Sequence, residues 1–473
     1  MIKVNFVLKP VLFSFLNLFE YRGAISPRMK NRRKNKLVKP VGREYRGLLA
    51  LGSLFLAFLI FNLYWKDLKT HVFHIDEYSF LRKSYFFDKF FIKKDLDDKS
   101  WQKDDFNQPK LGLYIYGLAL HLRGIKNIES FQKEIKFNEI KINDKSWWYE
   151  FSFKKFENIP ESLNPARELI YKGRKTSVVF SFGVFLLAFV FTKLFKKPFF
   201  SFITVVLLAN NNLMWYYGRM AMTDSFQLFF FFINLISVYF YLQSFWRKQN
   251  RRFIFLSFII GINSALASGV KVIGILALCF FIGTFAFIFF HNFKTRLFDK
   301  TTLFASFLIV VSVFFFLFVF LNPQIYNQPF KGFYKMFTSR WQGAENYRLI
   351  EGRPVFSQKE ALILVFKRLL KPGNFGGNFG SVSVIPLDLI FLFSGLCLLF
   401  NRIRLGHKKA KDISLEFLLL FWFMVVFISL VFYLKNDWLR YYLPLGSAIT
   451  LIQSYFLAWL LEKTIKNDKI PFN

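Results

Sequence analysis

The chain has 473 residues, a formal net charge of +35 and a hydrophobic content of 54%, and it contains 70 phenylalanines. A soluble fold cannot bury that much aromatic surface, so the composition excludes an ordinary water-soluble protein. The excess of Lys and Arg is also typical of nucleic-acid-binding proteins. Here most of these residues lie in the gaps between apolar runs, so we expect no nucleic-acid partner.

The apolar residues form uncharged runs of roughly 17 to 22, the length that a helix needs to cross about 30 Å of hydrocarbon. These runs predict an all-α fold, a polytopic transmembrane helical bundle of about ten spans. The predicted spans are 48–64, 174–192, 198–217, 225–245, 253–270, 272–290, 302–321, 385–400, 413–434 and 441–461. A further apolar stretch, 111–122, is short for a crossing and predicts a helix that lies in the membrane interface.

The charges of the loops predict the orientation of the spans. One side of the membrane receives every short, densely basic loop, and the positive-inside rule makes that side cytoplasmic. Both termini are then cytoplasmic, in a multi-pass protein of the cell inner or plasma membrane. The extracytoplasmic side receives two long loops, 65–173 and 322–384, and the functional groups are expected there. The basic loops are 28–46, 193–197, 247–252, 294–300, 402–411 and 463–469.

Two adjacent acids, Asp76 and Glu77, follow the first predicted span. A carboxylate at this place can act as a general base that takes the proton of an attacking hydroxyl. A pair of solvated loop acids is the alternative. His71 and His74 lie close by, but two His and one Asp without known geometry more often indicate a polar loop than a metal site.

The other candidate residues stand at the predicted outer mouths of the spans or, for Lys110, at the bilayer surface where the predicted interfacial helix begins. Asp224 is either a second active-site acid or a helix N-cap, and the two roles are compatible. Arg219, Lys110 and Arg440 are cations that can bind a phosphate group. Each cation also has an alternative role as a membrane anchor: at the interface for Arg219, by snorkelling for Lys110, and in an aromatic belt for Arg440.

The order of these motifs resembles the GT-C superfamily of integral-membrane glycosyltransferases. The resemblance is greatest to the branch that contains protein O-mannosyltransferases and the lipid A aminoarabinose transferase, a glycosyltransferase family 39-like group. It extends over nearly the whole chain. The motifs that carry it are Asp76-Glu77 in the large first outer loop, the helix start 109–112, Gly173-Arg174, the segment 218–224, the segment 269–271, and 440–444.

The resemblance implies an enzyme that transfers a hexosyl or pentosyl group from a polyprenyl-phosphate donor on the extracytoplasmic face. The acceptor is a hydroxyl of a protein or an envelope glycolipid. It implies no firm cofactor, with a divalent cation left open and no metal ligand assigned. The implied site residues are Asp76 as base, Glu77 as its neighbour, Asp224 as second acid, and Lys110, Arg219 and Arg440 as contacts of the donor phosphate.

Three parts of the chain are expected on this basis. Residues 1–46 are a basic cytoplasmic segment with room for an interfacial helix, 47–464 are a GT-C-like catalytic domain, and 465–473 are a cytoplasmic tail. The first loop is expected to carry interfacial helices.

The alternative function is a transporter or flippase of lipid-linked glycans, which needs a polar path through the bundle. The charge-free predicted spans argue against it. A non-catalytic scaffold is a third interpretation, and it predicts no dependence on the outer acids.

Overall fold

The computed structural model describes residues 43–103, 108–130, 154–159, 161–338, 355–369, 381–382, 385–407, 415–434 and 439–467. The chain divides into an N-terminal unit, Met1–Glu44, and a main unit, Tyr45–Asn473. Most of the predicted segment 1–46 and of the predicted tail 465–473 lies outside the described residues. The description below concerns the main unit.

Helices make up the main unit, which confirms the predicted all-α polytopic bundle. Long apolar runs favour helix because a helix satisfies its backbone hydrogen bonds internally, as hydrocarbon surroundings require. Two-residue strands β1 (Ser381–Val382) and β2 (Ile385–Pro386) pair antiparallel. The helices are α1 (Arg43–Lys66), α2 (Ile75–Arg82), α3 (Ser100–Lys103), α4 (Leu111–His121), α5 (Asn164–Lys193), α6 (Pro198–Asn210), α7 (Asn212–Tyr217), α8 (Asp224–Trp246), α9 (Asn250–Val270), α10 (Leu276–Thr295), α11 (Lys300–Phe320), α12 (Gln358–Leu369), α13 (Leu387–His407), α14 (Leu415–Tyr433) and α15 (Leu443–Asn467).

Within the described ranges, 8 helices are long and apolar enough to cross a membrane, which supports an integral multi-pass membrane protein. The other two predicted spans are helical but differ from these. The span predicted at 198–217 breaks at Asn211, whose Oδ1 accepts hydrogen bonds from the backbone N–H groups of Leu213 and Met214. The span predicted at 385–400 begins in β2 and continues as α13, which runs on into basic residues at its end.

The helices pack against one another around buried apolar side chains and expose other apolar side chains outward. Helix α9 lies against α8 and α11, and α15 lies against α6 and α13. Phe316, Phe304 and Phe55 are 73%, 61% and 64% exposed on the outer surface of their helices. Exposed aromatic side chains of this kind are typical of a lipid-facing surface.

The stretch predicted as an interfacial helix, 111–122, forms α4, but most of this helix is buried within the protein. Tyr114 and Tyr116 are 2% and 0% exposed, and α4 packs against α2 and α5. The helix is therefore covered by other parts of the protein, and its place in the membrane interface stays a prediction. Its sequence agrees with this burial, since it is apolar on all sides and lacks a polar face.

Candidate active site

Two of the predicted site residues, Asp76 and Arg440, form an ion pair. Asp76 lies in the first turn of α2, and Arg440 lies in the 3₁₀ turn Leu439–Tyr442 that leads into α15. The Nη1 of Arg440 donates to Oδ2 of Asp76, across a separation of 364 residues in the chain. The side chain of Asp76 is 31% exposed and that of Arg440 is 11% exposed. A carboxylate within reach of solvent is thus held beside a cation at one end of the bundle.

The charge of Asp76 is set by this pair. Burial raises the pKa of the carboxyl group, but the charge of Arg440, the charge that His74 carries when protonated and the hydrogen bond from Arg440 together outweigh burial. The charge of Lys271 acts in the same direction. The pKa of Asp76 therefore lies below its usual value of 3.8, and Asp76 is ionised at neutral pH. An ionised carboxylate is the form that a general base requires.

The second predicted acid, Asp224, pairs with Lys271, which stands between α9 and the turn that follows it. Lys271 Nζ donates to Asp224 Oδ1 at 2.5 Å, and the two side chains are 16% and 4% exposed. Asp224 Oδ2 is buried and has no hydrogen-bond partner among the described residues. Thr223 occupies the N-cap position of α8 without a capping side-chain bond. Asp224 is thus directed toward a cation rather than to the cap role.

The two pairs belong to one electrostatic group. The charge of Lys271 affects Asp76, and the charge of Asp224 affects His74, which precedes α2. We call Asp76, Arg440, Asp224 and Lys271 the paired-acid cluster. Lys271 belongs to one of the sequence motifs, but only the structure identifies it as the partner of Asp224.

Glu77 differs from its neighbour Asp76 in its burial and in the number of its hydrogen bonds. Its side chain and that of Arg174 are both 0% exposed. Arg174 donates from Nε and Nη2 to the two carboxylate oxygens, each at 2.7 Å. Those oxygens also accept from the backbone N–H of His74 at 3.0 Å and of Ala221 at 2.8 Å. Glu77 is therefore fully hydrogen-bonded, and its geometry favours a positioning role.

Arg174 completes this arrangement from helix α5. Its remaining N–H groups donate to the backbone carbonyls of Leu68, His71 and Val72 at 2.7, 3.2 and 2.8 Å. The guanidinium thus uses all of its donors, the full complement of an arginine. We call Glu77 and Arg174 the anchor pair. It ties the start of α2, which carries Asp76, and the segment before α2 to α5 and, through Ala221, to the segment before Asp224.

Two glycines allow the surrounding elements to approach closely. A Cβ on Gly112 would lie 2.5 Å from Cγ2 of Thr223, and one on Gly173 would lie 2.5 Å from Cδ2 of Leu81. Such distances are shorter than side chains tolerate, so larger residues here would displace α4 or α2. The glycines therefore help to bring Asp76 and Asp224 to the same end of the bundle.

Lys110 is placed differently from its prediction. Its side chain is 0% exposed, with Nζ 4.5 Å from the centre of the Phe86 ring, and its backbone N–H donates to Asn322 Oδ1 at 3.1 Å. This burial does not fit a snorkelling anchor, whose charged group would reach water, because α4 begins inside the protein. Its contact with a donor phosphate stays a prediction.

Arg219 pairs with Asp67 rather than with either predicted acid. Its Nη1 lies 3.1 Å from Asp67 Oδ2, and its guanidinium carbon lies 3.9 Å from the centre of the Trp215 ring. Burial, the largest influence, lowers the pKa of Arg219 to about 10, so it remains charged at neutral pH. Its role as a phosphate contact also stays a prediction.

The sequence leaves a divalent cation open and assigns no metal ligand. The described residues contain no group of 3 or more His, Cys, Asp or Glu side chains placed to hold a metal ion. A divalent cation therefore has no site assigned here.

A family model described as dolichyl-phosphate-mannose-protein mannosyltransferase matches residues 147–331. The matched part includes Arg174, Asp224 and Lys271. The match confirms the predicted resemblance to protein O-mannosyltransferases and supports the class of membrane glycosyltransferase. No curated protein matches the chain.

Two solved structures match the chain over most of its length. One is the apo crystal structure of the Archaeoglobus fulgidus oligosaccharyltransferase, with a TM-score of 0.48, 12% identity, and coverage of 90% of this chain and 52% of that one. The other is the archaeal oligosaccharyltransferase AglB from Archaeoglobus fulgidus in complex with an inhibitory peptide and a dolichol-phosphate, with a TM-score of 0.47, 13% identity, and coverage of 91% and 53%. The chain spans about half the length of these proteins.

Proposed function

We propose that the chain transfers a sugar from a polyprenyl-phosphate donor to a hydroxyl acceptor on the extracytoplasmic face of the membrane. The observation that carries this proposal is the Asp76–Arg440 pair. It joins a carboxylate that can accept a proton to a cation that can stabilise a departing phosphate. The family match over 147–331 supports the same reaction class. The acceptor is a protein or an envelope glycolipid.

The proposed reaction needs one base and at least one cation. Asp76 takes the proton of the acceptor hydroxyl while the oxygen of that hydroxyl attacks the anomeric carbon of the sugar. The bond between that carbon and the phosphate oxygen breaks, and the electron pair leaves with the lipid phosphate. Arg440 and Lys271 lie in the same cluster and would stabilise the negative charge of the leaving group.

Donor binding would also change Asp76 itself. Arg440 lowers the pKa of Asp76 in the free protein. A donor phosphate would compete with Asp76 for the guanidinium of Arg440, because both are anions that accept from the same N–H groups. Loss of that interaction raises the basicity of the carboxylate. The proposed base would thus become stronger once the donor is in place.

The role of Arg440 can be separated from simple donor binding. We expect Arg440→Ala to lower kcat more than it raises KM for a polyprenyl-phosphate sugar, since the leaving group gains its charge in the transition state. Arg440→Lys should rescue only part of the rate, because a lysine lacks the bidentate fork. The measurement is the initial rate of transfer by purified protein over a range of donor concentrations. A rise in KM with unchanged kcat would contradict the leaving-group role.

The proposed orientation is tested by labelling single cysteines with an impermeant thiol reagent. In a background where Cys279 and Cys397 are replaced by serine, cysteines at the exposed positions Lys99 and Ser357 should react from outside intact cells. A cysteine at the exposed Arg404, beyond the predicted span of α13, should react only after the membrane is opened. Opposite labelling of Lys99→Cys and Ser357→Cys would refute the proposed arrangement of the two long loops.

A further inference from the structure

His74 stands immediately before helix α2, the helix that carries Asp76. Its backbone is extended, with φ −118° and ψ 134°, as an N-cap residue requires. Its Nδ1 accepts a hydrogen bond from the backbone N–H of Asp76 at 3.1 Å. In return, Glu77 Oε1 accepts from the backbone N–H of His74 at 3.0 Å. This reciprocal capping box fixes the backbone at the proposed base.

The cap depends on the protonation state of the imidazole ring. Nδ1 can accept a hydrogen bond only when it carries no proton, so the capping form is the neutral ring with its proton on Nε2. An imidazolium carries N–H groups on both nitrogens and cannot accept. Protonation of His74 must therefore break the bond to the backbone of Asp76.

The protonated ring would also have a new acceptor close by. Oδ2 of Asp76 lies 3.9 Å from Nδ1 of His74, and it is the same oxygen that Arg440 binds. An imidazolium would compete with Arg440 for this oxygen once the cap bond is lost. The loss of the cap bond would alter the position of Asp76, and the competition with Arg440 would alter the charges around its carboxylate.

The groups that face His74 come from three parts of the fold. Asp76 and Glu77 lie on α2, Asp224 lies at the start of α8, and Arg440 lies in the turn before α15. Burial, the largest influence, lowers the pKa of His74, and Arg440 lowers it further, whereas the three acids raise it. The pKa lies below the usual 6.5, so the ring is mainly neutral at pH 7 and becomes charged in the acidic range. The side chain is 14% exposed, which gives protons access.

We propose that His74 is the positioning residue for Asp76 and that it works only as the neutral imidazole, so that acidification uncaps α2 and stops sugar transfer. This inference rests on the proposed function for the role of Asp76 as base. The uncapping itself does not, and it can be measured without a substrate.

The first test compares two substitutions of the same residue over a range of pH. Asn is a good N-cap and does not titrate, whereas Ala removes the cap. At about pH 7, His74→Asn should transfer sugar at close to the wild-type rate, and His74→Ala should be slower by about fivefold. As the pH is lowered from about 7 into the acidic range, wild type should lose activity at a higher pH than His74→Asn does.

Two features of the molecule make this comparison specific. His71, in the same loop, has a pKa lowered to about 4 by burial, Arg219 and Arg174, so it stays neutral at about pH 5. Asp299 caps α11 through the backbone N–H of Thr302, and Asp299→Ala is the control for loss of a cap elsewhere. It should keep the wild-type pH profile. Equal pH profiles for wild type and His74→Asn would overturn the proposal.

The second test is hydrogen–deuterium exchange of the peptide segment 72–82, corrected for the intrinsic effect of pH. Amides at the start of α2 should lose protection in wild type as the pH falls from about 7 into the acidic range, and they should keep it in His74→Asn. Unchanged protection in wild type would refute the cap switch even if sugar transfer is demonstrated. Conversely, the expected exchange in a protein that transfers no sugar would refute the proposed function and leave the switch standing.

Discussion

Replacement of Asp76 by Asn is expected to lower the rate of sugar transfer by about 10² to 10⁴-fold, the usual effect of removing a general base. The amide has nearly the same shape and can still accept from Arg440, so the variant should fold and insert normally. It cannot take a proton from the acceptor hydroxyl. The rate of transfer from a radiolabelled polyprenyl-phosphate sugar measures the effect.

A matched control is available at the end of helix α1. Asp67 is also a carboxylate paired with an arginine, but its partner is Arg219 and its side chain is 44% exposed. Asp67→Asn should keep activity within a few-fold of wild type, since exposed ion pairs contribute little to stability. Wild-type activity in Asp76→Asn would remove the proposed base. An equal loss in both variants would indicate a general need for acidic residues rather than a specific base.

Substitution of Arg174 by Met should have the largest effect on stability. The change leaves the Glu77 carboxylate fully buried without its partner, and removal of one member of a buried pair typically costs about 3–5 kcal/mol. It also removes a donor from the carbonyls of Leu68, His71 and Val72, of which His71 still accepts from the backbone N–H of Phe156. The variant should unfold at a clearly lower temperature, as followed by tryptophan fluorescence in detergent.

The control for this variant is a more exposed ion pair in the first predicted outer loop, 65–173. Lys93 Nζ lies 3.0 Å from Glu129 Oε2, and the two side chains are 50% and 34% exposed. Lys93→Met should change the unfolding temperature little, because solvent screens such pairs. If Arg174→Met unfolds at the same temperature as Lys93→Met, the anchor pair does not hold the start of α2 in place.

The membrane fold could be predicted from the sequence because long uncharged apolar runs have few physical alternatives. The break at Asn211 was missed, although three consecutive asparagines at 210–212 were a visible signal, since Asn is a strong N-cap. The burial of α4 could also be anticipated from its lack of a polar face.

The pairings within the site could not be predicted in the same way. Asp76, Asp224 and Arg440 were identified as candidates, but their partners depend on tertiary contacts between distant segments. Arg174 and Glu77 are 97 residues apart, and Lys271 and Asp224 are 47 apart. Two adjacent acids in a sequence give no indication that one of them, Asp76, is partly exposed and that the other, Glu77, is fully buried. Only the packing of α2 against α5 distinguishes Asp76 from Glu77.

The central claim is that the donor is a lipid-linked sugar whose transfer depends on Asp76. The most direct test offers purified wild-type protein a radiolabelled polyprenyl-phosphate sugar or the matching nucleotide-sugar, each with an envelope extract as acceptor and with Asp76→Asn in parallel. We predict label transfer from the lipid donor alone, and its loss in Asp76→Asn. Transfer from the nucleotide-sugar with no lipid intermediate present, or full transfer by Asp76→Asn, would contradict the account.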